Sequence, residues 1–428
     1  MTEKTLITFV GLGKPEGGGY IKTTYDFGEN KHIKSSCFAE AIRQSGKFSF
    51  DEVLFIGTAT SSWSSLLESV EEQADFWEKI YSREIEKQPL TDELKTELQQ
   101  ILQNIWQKPV KISINPKELT TENCSEILNQ YIGQIFDSGK DILLDVTHSF
   151  RWMPLLLSSA LQFKNAYTGP EEDKGSLEIV YGELGGTLSP VRYLDIWVKS
   201  RKTSDAIALF FQKFEAEPLA EALSEYWDSG AKAVKKLGLH IQGNYFLPLL
   251  FDMPEENFPI GRPLAQLRNA LNNFEKENKP EWVIQVHKQL QNICKALSTP
   301  LPPDRLVNLA KMLAGKKLYG QAIIAICLAA EQSLIMAYNH KKHPGFDGVN
   351  ECQDIIKKEI GKNNPYLAYY FRDIKPLRSQ VAHGGLAQDQ SAILQPEALK
   401  NQYETILRKQ KEWQTYLNSQ FLHDRKRK

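Results

Sequence analysis

The chain has 428 residues, enough for two or three domains, and its 41% hydrophobic and 25% charged residues exclude a disordered polyelectrolyte. Five cysteines (Cys37, Cys124, Cys294, Cys327 and Cys352) form no CxxC pair and are odd in number. That excludes a structural zinc site and a disulfide framework and fits a reduced, cytoplasmic protein. The net charge of -1 is unevenly spread: residues 301–428 hold 20 Lys+Arg against 12 Asp+Glu, leaving 32 against 41 for residues 1–300. The basic C-terminal part either meets a polyanion or simply ends in the solvated tail Arg425-Lys-Arg-Lys428.

In chain order, Thr5–Val10 predicts a short apolar strand running into Gly11-Leu-Gly13, and Ile21–Tyr25 a second strand. Ser36–Gln44 has helical spacing, and Glu52–Gly57 is an apolar strand ending in Thr-Ala-Thr-Ser-Ser. A charged helical insertion spans about Trp63 to Gln107. Strand Val110–Ile114, helix Cys124–Asp137, strand Asp141–Val146 and helix Met153–Phe163 follow, with Pro154 tolerated in the first turn. Strands Leu177–Gly182 and Val191–Asp195 close the set. Strands alternating with helices predict a Rossmann-like, parallel-rich, doubly wound α/β sheet. Ligands of such sheets bind at the carboxyl ends of the strands, where Gly11–Gly19, Gly57–Ser64 and Thr147–Arg151 share one edge.

From Arg201 long helical patterns replace strands. Leu237–Pro263 interrupts them, and Ser298-Thr-Pro-Leu-Pro-Pro303 is linker-like. After it, Asp304–Leu313, Gly320–Tyr338, Glu351–Ile360, Pro376–His383 and Gln395–Phe421 predict an all-α terminal domain. The expected organisation is 1–200, a helical connector 201–300, and 301–428. Met1-Thr-Glu-Lys leads into no long apolar segment, and Ala322–Tyr338 is broken by Glu331 and Gln332, so neither a secretory signal nor a membrane span is expected.

Three motifs carry chemistry. Gly11-Leu-Gly-Lys-Pro-Glu16 lacks the third glycine of a dinucleotide fingerprint, and Pro15 opposes the helix that motif needs. The loop either lets a phosphate approach the backbone or is a plain surface loop. Asp145-Val-Thr-His-Ser-Phe-Arg151 places a carboxylate, hydroxyls, an imidazole and a guanidinium at a strand-to-helix junction. Thr147 and Ser149 can cap the helix, and Arg151 can grip a phosphate through two donors. The competing reading is a helix cap with His148 satisfied in the core.

Arg378-Ser-Gln-Val-Ala-His383 lies between Pro376 and Gly384-Gly385, which suit a helix start and end. Five residues at about 100° each leave Arg378 and His383 roughly 140° apart, a poor site in one chain and a plausible one when two copies pool their residues. An Arg/His set suits RNA cleavage without metal: His383 as general base or acid, Arg378 stabilising the phosphorane. His340-Lys-Lys-His343 is a polar loop rather than a metal site. Glu331, inside an apolar helix, either pairs with an active-site arginine or lies on an exposed edge.

Arg378-Ser-Gln-Val-Ala-His383 resembles the Arg-x4-6-His motif of HEPN ribonucleases, and Tyr319–Glu331 looks like the HEPN helix that packs beside it. Leu144-Asp-Val-Thr-His-Ser-Phe-Arg-Trp-Met-Pro154 resembles the signature of CARF proteins of type III CRISPR systems. Ser149 stands where that signature usually has Gly, and Ser379 where many HEPN motifs have Asn or Asp. The resemblance implies an N-terminal CARF sensing domain and a C-terminal all-helical HEPN domain. It implies a homodimer, or a higher oligomer, that cuts single-stranded RNA without a metal or cofactor and is activated by a cyclic oligoadenylate, often the four-adenosine ring. By position, Thr147, His148, Ser149 and Arg151 would line the ligand site with Gly11, Gly13, Thr58 and Ser61, and Arg378 and His383 would be catalytic. A ring nuclease that degrades its ligand, or a nucleotide-sensing regulator that binds nucleic acid without cutting it, are the alternatives.

Overall fold

The computed structural model describes residues 4–13, 20–68, 70–116, 118–138, 141–167, 176–183, 188–250, 263–338, 372, 375–382 and 398–425. His383, the predicted helix 351–360, His340 and His343, and residues 14–19 of the first glycine loop lie outside the described residues. The chain divides into two compact units, Met1–Ser200 and Arg201–Lys428.

The first unit is built on one eight-stranded sheet. Its strands are β1 (Lys4–Val10), β2 (Thr23–Asp26), β3 (His32–Ser35), β4 (Glu52–Thr58), β5 (Val110–Asn115), β6 (Asp141–Asp145), β7 (Leu177–Gly182) and β8 (Ser189–Tyr193), in the order β3-β2-β8-β7-β6-β1-β4-β5. The five strands from β7 to β5 in that order are mutually parallel. β8 runs antiparallel to β7, and β2 parallel to β8. β3 is absent from the sequence expectation: only Ser35 of His32-Ile-Lys-Ser35 is buried, and antiparallel pairing with β2 rather than apolar patterning defines it.

Central strands covered on both faces read as continuous apolar runs, and alternate residues then serve opposite cores. In β1, Leu6 and Val10 join one core and Ile7 and Phe9 the other; in β4, Val53 and Phe55 oppose Leu54 and Ile56. The first core is covered by α1 (Phe38–Ser45) and by α2 (Ala74–Ile85) and α3 (Asp92–Trp106) of the expected insertion. α3 starts at Thr91, whose side chain accepts from the Leu94 N–H, and buries Leu94, Leu98, Leu102 and Trp106 along one stripe. The second core is covered by α4 (Cys124–Phe136) and α5 (Met153–Tyr167).

After the β2–β3 pair at the far edge, the parallel strands step outward from β1 through β4 to β5, and the chain then returns to β6 on the other side of β1. The strand order therefore reverses between β1 and β6, and the loops after these two strands flank the crevice where such sheets take ligands.

The second unit is helical among its described residues. Its helices are α6 (Asp195–Lys213, which begins in the first unit), α7 (Glu217–Ser224), α8 (Asp228–Gln242), α9 (Phe246–Leu250), α10 (Pro263–Asn272), α11 (Glu281–Leu297), α12 (Pro302–Gly315), α13 (Tyr319–Tyr338), α14 (Lys375–Ala382) and α15 (Leu399–Arg425). One apolar core runs from Ala206 to Ile406 and passes the linker-like 298–303 without a break, because that segment is a tight turn ending in the Pro start of α12. α13 is the central helix: Ala322, Ile323 and every residue from Ala325 to Ala330 are buried. No described helix is long and apolar enough to cross a membrane.

The insertion helices are part of the first core, so Leu98→Ala, at a fully buried position, is expected to cost about 2–5 kcal/mol in denaturant unfolding.

Candidate functional site

The described parts of the three sequence-predicted loops lie together at the carboxyl edge, joined by specific backbone contacts. Gly11 follows β1 and sits against the loop after β6. A Cβ built on it would lie 2.7 Å from the His148 carbonyl oxygen, closer than any side chain tolerates. The loop after β4 is stitched to the end of β1: the Ser61 hydroxyl donates to the Val10 carbonyl at 2.6 Å, and the Ser62 N–H to the Gly11 carbonyl at 2.9 Å.

Thr58 and Ser61 are fully buried. The Thr58 N–H donates to Ser61 Oγ at 2.8 Å, and the two hydroxyls are 3.2 Å apart. Their polar atoms close the loop from within and do not face solvent. Gly13 is half-buried at the border of the described residues.

The β6 loop differs from the expected helix cap. α5 begins at Met153, one residue before Pro154, so Thr147 and Ser149 lie too far upstream to cap it. The Thr147 hydroxyl instead accepts from the Gly182 N–H at 2.9 Å, tying the loop to the end of β7. Ser149 Oγ lies 3.2 Å from the Val146 carbonyl, to which it donates. Arg151 is exposed, and among the described residues no carboxylate pairs with it. Its guanidinium is available to an anion.

His148 stacks on Tyr20, with ring centroids 4.1 Å apart and planes 13° from parallel, and its Nε2 lies 3.5 Å from the Tyr25 hydroxyl. Burial pushes the imidazole down to about 4, so it is neutral near pH 7. Burial likewise pushes the Tyr20 phenol well up.

Below the loop, Asp145 is fully buried, accepting from Thr8 Oγ1 at 2.6 Å and from the Thr147 N–H at 2.8 Å. Burial raises its carboxyl to about 6 against those two hydrogen bonds, which lower it. Thr8 is the register partner of Asp145 across the β1–β6 pair.

Four contributors escaped the sequence reading. Tyr20 and Tyr25 come from a segment read only as loop and strand. Glu84, at the end of α2, accepts from the Ser64 N–H at 2.8 Å and the Ser64 hydroxyl at 2.6 Å, anchoring the β4 loop. Thr8 alone left a signal: a hydroxyl flanked by Leu6-Ile7 and Phe9-Val10 in the middle of an apolar run.

The second predicted site is on α14. Arg378 Nη1 donates to Glu331 Oε1 at 2.6 Å, and the Glu331 side chain is 7% exposed against 40% for Arg378. This separates the two readings of Glu331: it pairs with the arginine. α14 ends at Ala382, immediately before His383. Among the described residues no three His, Cys, Asp or Glu side chains are grouped to hold a metal ion.

Gly11→Ala is expected to cost about 1–3 kcal/mol by forcing the β1 and β6 loops apart. Gly133→Ala on α4, where an added Cβ meets nothing within 4 Å, is expected to be neutral or stabilising by up to about 1 kcal/mol in the same unfolding assay. Asp145 contributes stability fully present below its unfolded value of 3.8 and lost as pH rises through about 6. Across that window, wild type is expected to lose about 3 kcal/mol relative to Asp145→Asn, which keeps both hydrogen-bond positions. Melting curves of the two proteins from pH 4 to 7 check it.

Residues 5–180 match the family described as the CARF domain of the CRISPR system endoribonuclease Csx1. The chain is also 22% identical over 431 aligned residues to the CRISPR-associated protein MJ1674 of Methanocaldococcus jannaschii, covering 90% of this chain. The chain spans 63% of that relative's length. The match takes in β1 to β6 and the loops at their carboxyl ends, so the first unit carries a CARF domain.

Proposed function

We propose that the chain is a metal-independent endoribonuclease of CRISPR antiviral defence, switched on by a cyclic oligoadenylate, cyclic tetra-adenylate first, held by the CARF loops. The observation that carries this reading is the part-exposed Arg378 side chain on α14, held by the buried carboxylate of Glu331 on α13. The sensing half rests on the CARF match and on the chemistry of its loops: exposed Arg151 for a phosphate and, on the same loop, neutral His148 stacked on Tyr20. Adenine rings can stack on such flat, uncharged surfaces.

In the proposed reaction the RNA 2′-oxygen attacks its adjacent phosphorus as a base removes its proton. The 5′-oxygen leaves and takes a proton from an acid, giving a 2′,3′-cyclic phosphate and a 5′-hydroxyl. Arg378 stabilises the charge that builds on the phosphoryl oxygens, and His383 serves as the proton carrier. Exposed Leu155 and Phe163 on α5 of the first unit support association of two copies.

Labelled single-stranded RNA incubated with the full chain and with cyclic tri-, tetra- or hexa-adenylate, with and without EDTA, tests the reading. Cleavage is expected to rise with one ring size, to survive EDTA and to fall at least about 100-fold in Arg378→Ala and His383→Ala. Undiminished cleavage in both variants overturns the catalytic assignment. Turnover of the ring that survives Arg378→Ala while RNA stays intact would instead identify a ring nuclease.

A further inference from the structure

We propose that Glu331 is a positioning residue for the RNA phosphate: it holds the Arg378 guanidinium so that its outward N–H groups meet a phosphodiester. The assignment rests on reading the second unit as an RNA-acting site.

A carboxylate in the middle of α13 is costly. The residues before it from Ala325 to Ala330 are all buried, and Glu331 is itself buried. An ionised group survives there only with a close partner. One such partner is Arg378, on a different helix 47 residues later, at 2.6 Å. Cys327, one turn back on α13, belongs to the same group: burial raises its thiol furthest, Glu331 raises it more and Arg378 opposes the rise.

The asymmetry of exposure decides what the pair does. Two surface groups that masked each other would be similarly exposed. Here the Glu331 side chain is 7% exposed and the Arg378 side chain 40%. Guanidinium carries five N–H donors in a rigid fork, and the Glu331 bond takes one of them at Nη1. Donors on the exposed portion suit two oxygens of one anion. An unanchored arginine on a short helix spreads over many rotamers, and fixing it costs entropy when a ligand arrives. A buried carboxylate makes that selection before the phosphate binds.

The full chain with its activating ring is used throughout. Two quantities are measured for wild type, Glu331→Gln, Arg378→Ala and the double variant: RNA cleavage kinetics, and affinity for a 2′-O-methyl RNA oligomer that binds but lacks the attacking hydroxyl. Glu331→Gln keeps the side-chain size and an acceptor oxygen. It is expected to lower kcat/KM about tenfold and weaken oligomer binding about threefold or more. The double variant is expected to bind no worse than Arg378→Ala, because Glu331 acts through the arginine. Additive losses in the double variant, or Glu331→Gln cutting as fast as or faster than wild type, overturn the proposal; faster cutting would make the pair an inhibitory latch. If Glu331→Gln melts below the assay temperature, Glu331→Asp replaces it, with charge kept and reach shortened, and the same losses are expected. If wild type cuts no RNA with any ring, the endoribonuclease reading fails. The oligomer affinities still decide the role of Glu331, since they need no cleavage.

Discussion

The parallel pairing of β1 with β6 is the constraint on which the carboxyl edge of the first unit depends. It sets Thr8 opposite Asp145 and brings Gly11 against the His148 carbonyl. A slip of one residue would turn Asp145 toward the α4–α5 face and away from Thr8. The register is held by buried Leu6, Ile7, Leu143 and Leu144 on both faces. Ordinary hydrophobic packing thereby fixes the position of the polar loop that follows β6. Asp145 then transmits that placement upward: it holds the Thr147 N–H, and Thr147 in turn holds the end of β7.

Much of this was legible in the sequence. The apolar runs of β1, β4 and β6 have one reading in an alternating α/β chain, and parallel strands put their following loops on one edge. The amino-acid order does not reveal which atoms join those loops. The Ser61–Val10 bond spans 51 residues and the Thr8–Asp145 bond 137. Thr147 and Ser149 looked like caps because hydroxyls before a helix usually are. Their hydroxyls were taken by nearer backbone partners, and Pro154 set the helix start downstream. β2 was legible in outline and β3 was not, since a short polar strand is defined by its neighbour.

In the second unit the balance differs. The apolar run of α13 announced a buried helix, and Glu331 stood out within it. Its partner could not be named from sequence, because 47 residues separate it from Arg378 and several arginines were available. The linker-like 298–303 has core residues of one apolar cluster on both sides of it, and proline pairs punctuate helices within a domain as readily as they separate domains. The family match covers the first unit's strands β1 to β6, so the chemistry of the second unit is argued from its own residues.

Glu84 and Leu90 give the insertion a consequence of its own. The Leu90 N–H donates to the Ala59 carbonyl at 2.9 Å, while Glu84 grips Ser64 from the end of α2. Both ends of the β4 loop are therefore tethered to a segment that sequence alone marks as an addition. Trimming α2 and α3 to make a minimal sensor would cut both tethers and leave Ser61 and Ser62 holding the loop alone. A smaller domain built from this chain needs a replacement strut at that place before its binding edge has a defined shape.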